Sequence, residues 1–162
     1  MQKIRTRVLA LAAAASLIAI DQWLKWLVSS RMEMYQTQAL FPGLRLRYTI
    51  NTGISFSMLG DSAVAMWIVT AISAAVMLAG VVIILMGKVR PVPMLCAAVC
   101  IIAGGVGNLI DRVAHGFVVD YLEFTFVRFA VFNFADICIT CGVIFLARWM
   151  IWDEVRQKRK AS

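Results

Sequence analysis

The chain has 162 residues, of which 62% are hydrophobic and 15% are charged, and its mean hydropathy is +0.83. These values exclude an ordinary soluble domain and indicate a membrane protein. The net charge of +7 does not require a nucleic-acid partner, because basic residues gathered on the inner side of a membrane, near anionic lipid, explain it. We therefore expect membrane lipid, and no nucleic acid, among the partners.

Four apolar segments predict membrane-spanning helices. The hydrocarbon core of a bilayer takes about 20 helical residues, and residues 62–87 and 92–110 are long enough and contain no charge. The predicted spans are 8–28, 62–87, 92–112 and 132–152, in a single membrane domain of residues 1–162. They imply an all-α membrane protein with four transmembrane helices, whose two longer loops, at about 29–61 and 113–131, lie on the same side.

The distribution of basic residues predicts the orientation of these spans. Ten of the 16 Lys and Arg residues fall on the side of the two termini, against six on the side of the longer loops. Because basic residues are enriched in cytoplasmic segments, we expect both termini in the cytoplasm and both longer loops outside it. Trp149 and Trp152 fit the aromatic belt of the inner membrane surface.

The first extracytoplasmic loop has the pattern of a β-strand. Hydrophobic and polar residues alternate from Leu44 to Asn51, after a turn signal at Pro42-Gly43. A period of two predicts a half-buried strand on the membrane surface. We expect the two loops to form the working face of the protein. The second loop contributes aromatic residues that are either a lid over a substrate groove or anchors in the membrane interface: Phe117, Tyr121, Phe124 and Phe126.

Two aspartates beside apolar segments point to function. Asp120 lies in the second loop and Asp136 near the start of the last span. A carboxylate at the centre of a membrane helix costs about 2.5–3.5 kcal/mol on insertion scales, so such a residue usually serves chemistry or transport. A pair of them suits peptide hydrolysis, in which one ionised carboxyl accepts a proton from water and one protonated carboxyl bonds to the scissile carbonyl. The residues leave open which aspartate is charged.

The third span has a polar end. Gly104, Asn108, Asp111 and Arg112 are three or four residues apart or adjacent, so they share one helix face. Glycine there lets a neighbouring helix approach closely, and Asp111 could form an interfacial ion pair with Arg112. Together with Asp120, the same residues look like the wall of a site, in which Arg112 could also anchor a lipid phosphate.

Four motifs, in this order along the chain, resemble those of the lipoprotein signal peptidase (signal peptidase II) family. A single Asn-x-Ala-Asp string is weak support, but four motifs on a chain with four predicted spans are highly specific. The motifs are Asp21-Gln22-x-x-Lys25, Asn51-x-Gly53-x-x-Phe56, Gly104-Gly105-x-Gly107-Asn108-x-x-Asp111-Arg112-x-x-x-Gly116-x-Val118-x-Asp120 and Phe132-Asn133-x-Ala135-Asp136.

The resemblance implies an aspartyl endopeptidase of the bacterial cytoplasmic membrane. Such an enzyme removes signal peptides from prolipoproteins, just before a diacylglyceryl-modified cysteine, at an active site near the extracytoplasmic face. By position, Asp120 and Asp136 are the catalytic pair, and the strand-bearing loop is the family's β-cradle. The other motif residues carried over as supporting the site or binding substrate are Asp21, Lys25, Asn51, Gly53, Gly104, Asn108, Asp111, Arg112, Asn133 and Ala135. We expect no cofactor and a monomer.

The chain departs from the family pattern at two places. Ile54 and Ser55 stand where small alanines are common, and Phe129-Ala130 stands where a Trp-Pro pair often precedes the last motif. These differences leave the catalytic residues intact and bear on the shape of the loops and the fit of the substrate.

A metal site is not predicted. The pairs Cys96-x-x-x-Cys100 and Cys138-x-x-Cys141 are expected at different depths of antiparallel helices, where they cannot share an ion. A single histidine, His115, makes a Ser-His-Asp triad improbable.

Two other functions are compatible with membrane-rim acids. The first is a small transporter or proton relay, which needs acids at several depths. The second is a noncatalytic four-span assembly factor, for which nothing in packing requires two aspartates next to the loops. The acids expected at one end of the bundle, which favour the peptidase over the relay, are Asp21, Asp111, Asp120 and Asp136.

Overall fold

The computed structural model describes residues 2–52, 63–89 and 92–161. Within these ranges, four helices are long and apolar enough to cross a membrane, and three strands form one small sheet. The elements are α1 (Gln2–Arg31), β1 (Thr37–Phe41), β2 (Leu44–Asn51), α2 (Ala63–Leu85), α3 (Val92–His115), β3 (Val118–Phe124) and α4 (Phe134–Ala161). The predicted fold class is confirmed.

Helix α3 is the centre of the bundle. Half of its most apolar stretch is buried, against less than a fifth in each of the other three helices. Helices α1, α2 and α4 each pack on α3, and small residues of α1, such as Ala10 and Ala14, meet α3 in the main hydrophobic core. Large apolar side chains on the outside, such as Trp67 and Leu78, are exposed, which suits helices surrounded by lipid.

Glycine permits the close crossing of α3 and α4. Gly104 faces the carbonyl oxygen of Ala135, and Gly142 faces that of Ala97, with space for no larger residue at either contact. Because small residues let membrane helices approach closely, these contacts fix the depth of α4 against α3. Gly104 therefore acts here as a packing residue, on the face of α3 that also carries the polar end of the predicted site.

The crossing corrects the predicted positions of the cysteines. Helix α3 continues well past Gly104, so the start of α4 lies opposite the middle of α3 rather than its end. Cys100 consequently lies near Cys138 and Cys141, and the prediction that the two cysteine pairs occupy different depths is wrong for Cys100. All four cysteines are free.

The two loops on one side of the bundle join in a single sheet, and we call this side the sheet end. Strand β2 pairs antiparallel with β1 and with β3, giving the order β1-β2-β3. The register places Thr49 opposite Asp120, and an isolated bridge between Leu122 and Phe132 ties β3 to the segment before α4. The strand predicted from Leu44 to Asn51 is present, whereas β1 and β3 were not predicted.

The sheet packs on the end of α1 through a second core. Val28 of α1 and Met32, just after the helix, form a buried cluster with Val119 and Tyr121 of β3, and Phe117 packs against this cluster. Tyr121 is only 4% exposed, so it has neither of the two roles considered for it, a lid over the substrate or an anchor in the membrane interface. Its ring fills the space between sheet and helix.

The remaining aromatic residues of the second loop form a separate group. The Phe124 ring lies 5.0–6.0 Å from the rings of Phe126, Phe129 and Phe132. Phe126 and Phe129 are exposed. These rings therefore form an aromatic group between the end of β3 and the segment that leads into α4.

Replacing Gly104 by alanine is expected to destabilise the protein by about 1–3 kcal/mol, the usual cost of overpacking. The new methyl group would collide with the Ala135 carbonyl oxygen and lie 2.8 Å from Ile139 Cγ1. The Ala135 oxygen belongs to the backbone of α4, so the clash cannot be relieved by rotating a side chain. Gly80→Ala is the matched control, since its methyl group meets only the side chain of Ile102, at 3.0 Å from Cδ1 and 3.2 Å from Cγ1. Thermal unfolding in detergent measures both, and an equal loss in the two variants would contradict the crossing geometry.

Candidate active site

Asp120 and Asp136 meet at one buried asparagine. Asn133 Nδ2 donates to Asp120 Oδ1 at 2.7 Å, and the Asn133 backbone N–H donates to Asp136 Oδ2 at 3.1 Å. Asn133 is fully buried, and Asp120 is 2% exposed. The structure thus brings the two predicted catalytic aspartates together, one from β3 and one from the first turn of α4.

Asn133 also caps α4. Its Oδ1 accepts the backbone N–H of Asp136 at 3.0 Å, while Asp136 Oδ2 accepts the backbone N–H of Asn133. This reciprocal arrangement satisfies donors that the start of a helix leaves free. The cap fixes where α4 begins, and it keeps the Asp136 carboxyl in the first turn, where the helix dipole favours negative charge.

Asp120 is held from two sides. Asn51 Nδ2, at the end of β2, donates to Asp120 Oδ2 at 2.9 Å, while Asn133 occupies Oδ1. Burial, and then repulsion by Asp136, raise the pKa of Asp120 to about 6, against the opposing effect of the hydrogen bonds from Asn51 and Asn133. A carboxyl with a pKa near neutrality can exchange a proton during a reaction at physiological pH.

A buried lysine organises the neighbouring charges. The Lys25 ammonium lies 2.9 Å from Asp21 Oδ2, 3.0 Å from Asp111 Oδ2 and 2.9 Å from Asn108 Oδ1. Asp21 and Lys25 are 0% and 3% exposed. Because an unpaired buried charge is very costly, this cluster ties α1 firmly to α3.

The predicted pairing of Asp111 with Arg112 is wrong. Asp111 pairs with Lys25 instead, and its carboxylate also accepts the backbone N–H of Val119 at 3.1 Å. The side chains of adjacent helical residues point in different directions. Arg112 makes a long contact of 3.5 Å to the Asn108 carbonyl, and its Nε has no hydrogen-bond partner among the described residues.

Gln22 belongs to the same network, although sequence reasoning gave it no role. Its Nε2 lies within hydrogen-bonding distance of Asp111 Oδ1, the Gly107 carbonyl oxygen and Asp21 Oδ2, at 3.0–3.2 Å. Its place inside the motif that carries Asp21 and Lys25 was the available signal. Gln22 reinforces the link between α1 and α3.

The remaining predicted residues include a packing residue, a hydrogen-bonding residue and one that is not described. Ala135 is fully buried against Gly104, and its backbone N–H donates to Asp21 Oδ1 at 3.0 Å. Asn108 bridges Lys25 and Asp136, donating from Nδ2 to Asp136 Oδ1 at 2.8 Å. Gly53 lies outside the described residues.

Two adjoining cavities lead to the aspartates. One, of about 430 Å³, is mostly apolar, includes Asp136 in its wall and extends along α4 to Cys141. The other, of about 210 Å³, includes Asp120. Both are lined by Asn51, and both by the segment at Ala130. Larger cavities elsewhere contain neither aspartate. The pair is therefore reached through an apolar groove between the sheet and α4, which we call the α4 groove.

The arrangement of acids in the described ranges does not suggest a metal centre or a relay across the membrane. No group of three or more His, Cys, Asp or Glu side chains there is placed to hold a metal ion. The four acids predicted at one end of the bundle cluster around Lys25 and Asn133 at the sheet end, rather than at successive depths. The geometry places the two carboxyls of Asp120 and Asp136 at a single site.

Asp120→Asn is expected to stabilise the folded protein at pH 8 by about 3 kcal/mol at most, and to have little effect at pH 4. The folded state keeps the Asp120 proton up to about pH 6, while an unfolded chain releases it near 3.8. Folding therefore favours the protonated form, and stability falls as the pH rises between these two values. Asparagine has no charge to bury.

Apparent melting temperatures of wild type and variant at both pH values measure this effect. Glu33→Gln serves as a control, because Glu33 is exposed. A difference for Asp120→Asn that is the same at pH 4 and pH 8 would contradict the expected linkage.

Comparison with known proteins identifies the family. The family model described as signal peptidase (SPase) II matches residues 13–152. A lipoprotein signal peptidase of Symbiobacterium thermophilum is 40% identical over 139 residues, covering 83% of this chain and 89% of that protein. One of Enterococcus faecalis is 32% identical over 146 residues, covering 90% and 89%.

A solved structure of a bacterial membrane enzyme has a similar fold. A chain described as a bacterial membrane enzyme matches with a TM-score of 0.76 and 26% identity, covering 87% of this chain and 91% of that one. The resemblance to the signal peptidase II family is confirmed, and the protein is a multi-pass bacterial membrane protease. With a family model that matches most of its length, this chain belongs to the signal peptidase II family.

Proposed function

We propose that the protein removes signal peptides from prolipoproteins, using Asp120 and Asp136 as a catalytic dyad that activates a water molecule. The observation that carries the proposal is that one buried residue, Asn133, donates to both carboxyls beside an apolar groove, from its side chain to Asp120 and from its backbone N–H to Asp136. The relatives from Symbiobacterium thermophilum and Enterococcus faecalis are lipoprotein signal peptidases, which supports the same substrate class. Cleavage is proposed on the N-terminal side of a diacylglyceryl-modified cysteine.

The dyad supplies both proton transfers that hydrolysis of a peptide bond needs. The ionised carboxyl takes a proton from water as the water oxygen bonds to the scissile carbonyl carbon. The protonated carboxyl bonds to the carbonyl oxygen and stabilises the charge that develops there. When the C–N bond breaks, the leaving nitrogen takes up a proton from the dyad. The products are the signal peptide with a new carboxylate and the lipoprotein with a free amino group on cysteine.

The α4 groove fits a lipid-modified substrate. Its wall combines the aromatic residues Phe124, Phe129 and Phe132 with Ile137 and Cys141 of α4. A signal helix and two acyl chains are apolar and lie in the bilayer, so they can enter from the side without crossing water. Asp120 and Asp136 then lie at the polar end of an apolar site. The substrate cysteine and the peptide bond before it would lie there, at the edge of the hydrocarbon core.

The orientation proposed for the protein places the sheet end outside the cytoplasm. The opposite end carries the basic tail of α4, where Arg156 stacks over Trp152 at 5.2 Å and Lys158 pairs with Glu154. Aromatic and basic residues together suit the inner surface of the membrane. Both termini would then be cytoplasmic, with the dyad at the extracytoplasmic face of the inner membrane. We propose that the protein acts as a monomer in contact with membrane lipid.

The central experiment is cleavage of a precursor lipoprotein by the purified protein. Wild type is expected to cleave a diacylglyceryl-modified precursor and to leave the unmodified one intact. Asp120→Asn and Asp136→Asn are each expected to lower the rate by at least about 100-fold, the usual contribution of acid-base catalysis. Mass spectrometry of the product locates the cut.

The controls distinguish a carboxyl dyad from a metal enzyme and from a proton relay. Asp153→Asn, in the tail of α4, should cleave normally. Activity that survives substitution of Asp120 or Asp136 would remove that residue from the dyad, and inhibition by EDTA would indicate a metal enzyme instead. Proton flux through liposomes containing the protein would support the relay.

A larger side chain in the α4 groove is expected to block the substrate. Cys141 is exposed and lines the groove, whereas Cys96 is exposed on α3 outside it. We expect Cys141→Phe to raise KM for the modified precursor about tenfold or more, and Cys96→Phe to leave it within about twofold, given about 1.4 kcal/mol per factor of ten. Equal effects of the two substitutions would argue against substrate binding along this face of α4.

A further inference from the structure

We propose that a charged cavity beside the α4 groove is a subsite for the first residues of the mature lipoprotein, and that its arginines favour acidic residues there. The inference rests on the proposed function, because it takes the substrate cysteine to lie at Asp120 and Asp136. It adds a preference for the segment that follows the cysteine, which neither the dyad nor the α4 groove accounts for.

The cavity, which we call the arginine cleft, adjoins the α4 groove. It has a volume of about 540 Å³, and its wall is formed by Arg45 of β2 and by the chain from Glu123 to Phe129. Phe124 and Phe129 line both the cleft and the groove, so the two cavities meet at these residues. A peptide chain that leaves the groove at this point passes directly into the cleft.

The register of the sheet sets the distance between the dyad and the cleft. Asp120 lies opposite Thr49, and Glu123 lies opposite Arg45, nearer the other end of the same pair of strands. Three steps along β3 separate Asp120 from Glu123, or about 10 Å at the rise of a strand. An extended substrate chain covers the same distance in about three residues. Roughly the second to fourth residues after the cysteine would therefore lie in the cleft.

The charges around the cleft do not cancel. Glu123 pairs with Arg45 Nε at 2.6 Å and with Arg47 Nη1 at 2.9 Å, so one carboxylate serves two guanidinium groups. The hydrogen bond from Arg45, assisted by Arg47 and opposed by burial, lowers the pKa of Glu123, which keeps it ionised. Arg128 is exposed and forms no ion pair with any residue that the structure describes. Three arginines against one glutamate leave an excess of positive charge.

The arginines also keep donors for a further carboxylate. A guanidinium group has five N–H donors in a planar fork, and the ion pairs with Glu123 use one nitrogen each of Arg45 and Arg47. The side chains of both are about 40% exposed, at 41% and 39%. Together with Arg128, they present N–H groups to the cleft that suit the two oxygens of an aspartate or glutamate.

The loop that carries Arg128 is anchored on both sides. Before it, the Thr125 backbone N–H donates to the Gly43 carbonyl oxygen at 3.1 Å, and the Phe126 ring lies over Gly43. After it, the Phe129 ring lies 6.0 Å from the rings of Phe124 and Phe132. The short segment between these anchors holds Arg128 at the cleft, so its positive charge is in place before a substrate binds.

The cleft suits the mature segment by polarity and by charge. Backbone groups without partners are costly in hydrocarbon, so the chain after the lipid-modified cysteine must leave the membrane near the dyad. A cavity with charged walls at that point receives it without this cost. Because the excess charge is positive, acidic side chains in the segment are attracted and lysines are repelled.

Binding of two synthetic lipopeptides tests the inference without requiring cleavage. Both begin with a diacylglyceryl-modified cysteine, and they differ only at the second to fourth residues after it, which are aspartates in one and lysines in the other. Titration of fluorescently labelled protein in an uncharged detergent gives the two Kd values. We expect the acidic lipopeptide to bind about fivefold tighter, since exposed ion pairs are individually weak. Equal Kd values, or tighter binding of the basic lipopeptide, would overturn the proposal.

Substitutions of Arg128 test whether the preference comes from the cleft. Arg128→Glu removes the excess positive charge, so we expect the two Kd values to become equal within about twofold, whereas Arg128→Lys keeps the charge and should keep most of the preference. Arg31→Glu is the matched control. It makes the same change of charge at an exposed arginine of the sheet end, at the last residue of α1, outside the cleft. It should retain the preference of wild type.

Cleavage kinetics distinguish this inference from the proposed function. With precursors that carry the same acidic and basic segments, we expect the difference mainly in KM, because the cleft lies away from the reacting bond. A preference lost as fully in Arg31→Glu as in Arg128→Glu would overturn the subsite and leave the peptidase in place. If wild type cleaves neither precursor, the proposed function fails, whereas the Kd values still decide whether the cleft prefers acidic segments.

Discussion

The double use of Asn133 is the constraint on which the site depends. The same side chain begins α4 and binds Asp120 on β3, so the helix cannot start elsewhere without separating the two carboxyls. An N-cap is worth about 1 kcal/mol in an ordinary helix. Here the buried amide also satisfies a buried carboxylate, and its loss would leave several polar groups unpaired. Stability and geometry of the site are thus properties of one residue.

The membrane makes this arrangement possible and also demanding. Charges near the hydrocarbon must be paired or bonded, and the cluster around Lys25 pairs its two carboxylates with one ammonium. The cluster holds α1 against α3 and, through the Val119 backbone N–H on Asp111, holds β3 in place. A polar network therefore holds these elements together, as a hydrophobic core does in a soluble protein. Lipid is as apolar as the side chains, so there is no hydrophobic driving force between membrane helices.

The sequence predicted the spans, strand β2 and both aspartates, for reasons that are local. Uncharged stretches reveal helices, and alternation reveals a half-buried strand. Strand β3 was missed because Val118 to Tyr121 are all buried, so no alternation marks it. The pairing of Asp111 with Lys25 could not be read from spacing, since the partners come from different helices. The depth of the cysteines in the membrane likewise depends on where α4 crosses α3. That crossing is determined by contacts of Gly104 and Gly142, which the sequence does not reveal.

These constraints explain why an enzyme can keep two carboxyls unequal in a shared pocket. Like charges in close proximity already disfavour double ionisation, but repulsion alone does not choose which carboxyl keeps the proton. At Asp136, the backbone N–H of Asn133 can only donate, and the Asn108 amide is oriented by Lys25 and Asn133 together. At Asp120, burial raises the pKa to about 6, so this carboxyl can change its protonation near neutral pH as a reaction proceeds. Helices therefore supply the fixed donors to Asp136, and the sheet supplies a carboxyl whose charge can change near neutral pH.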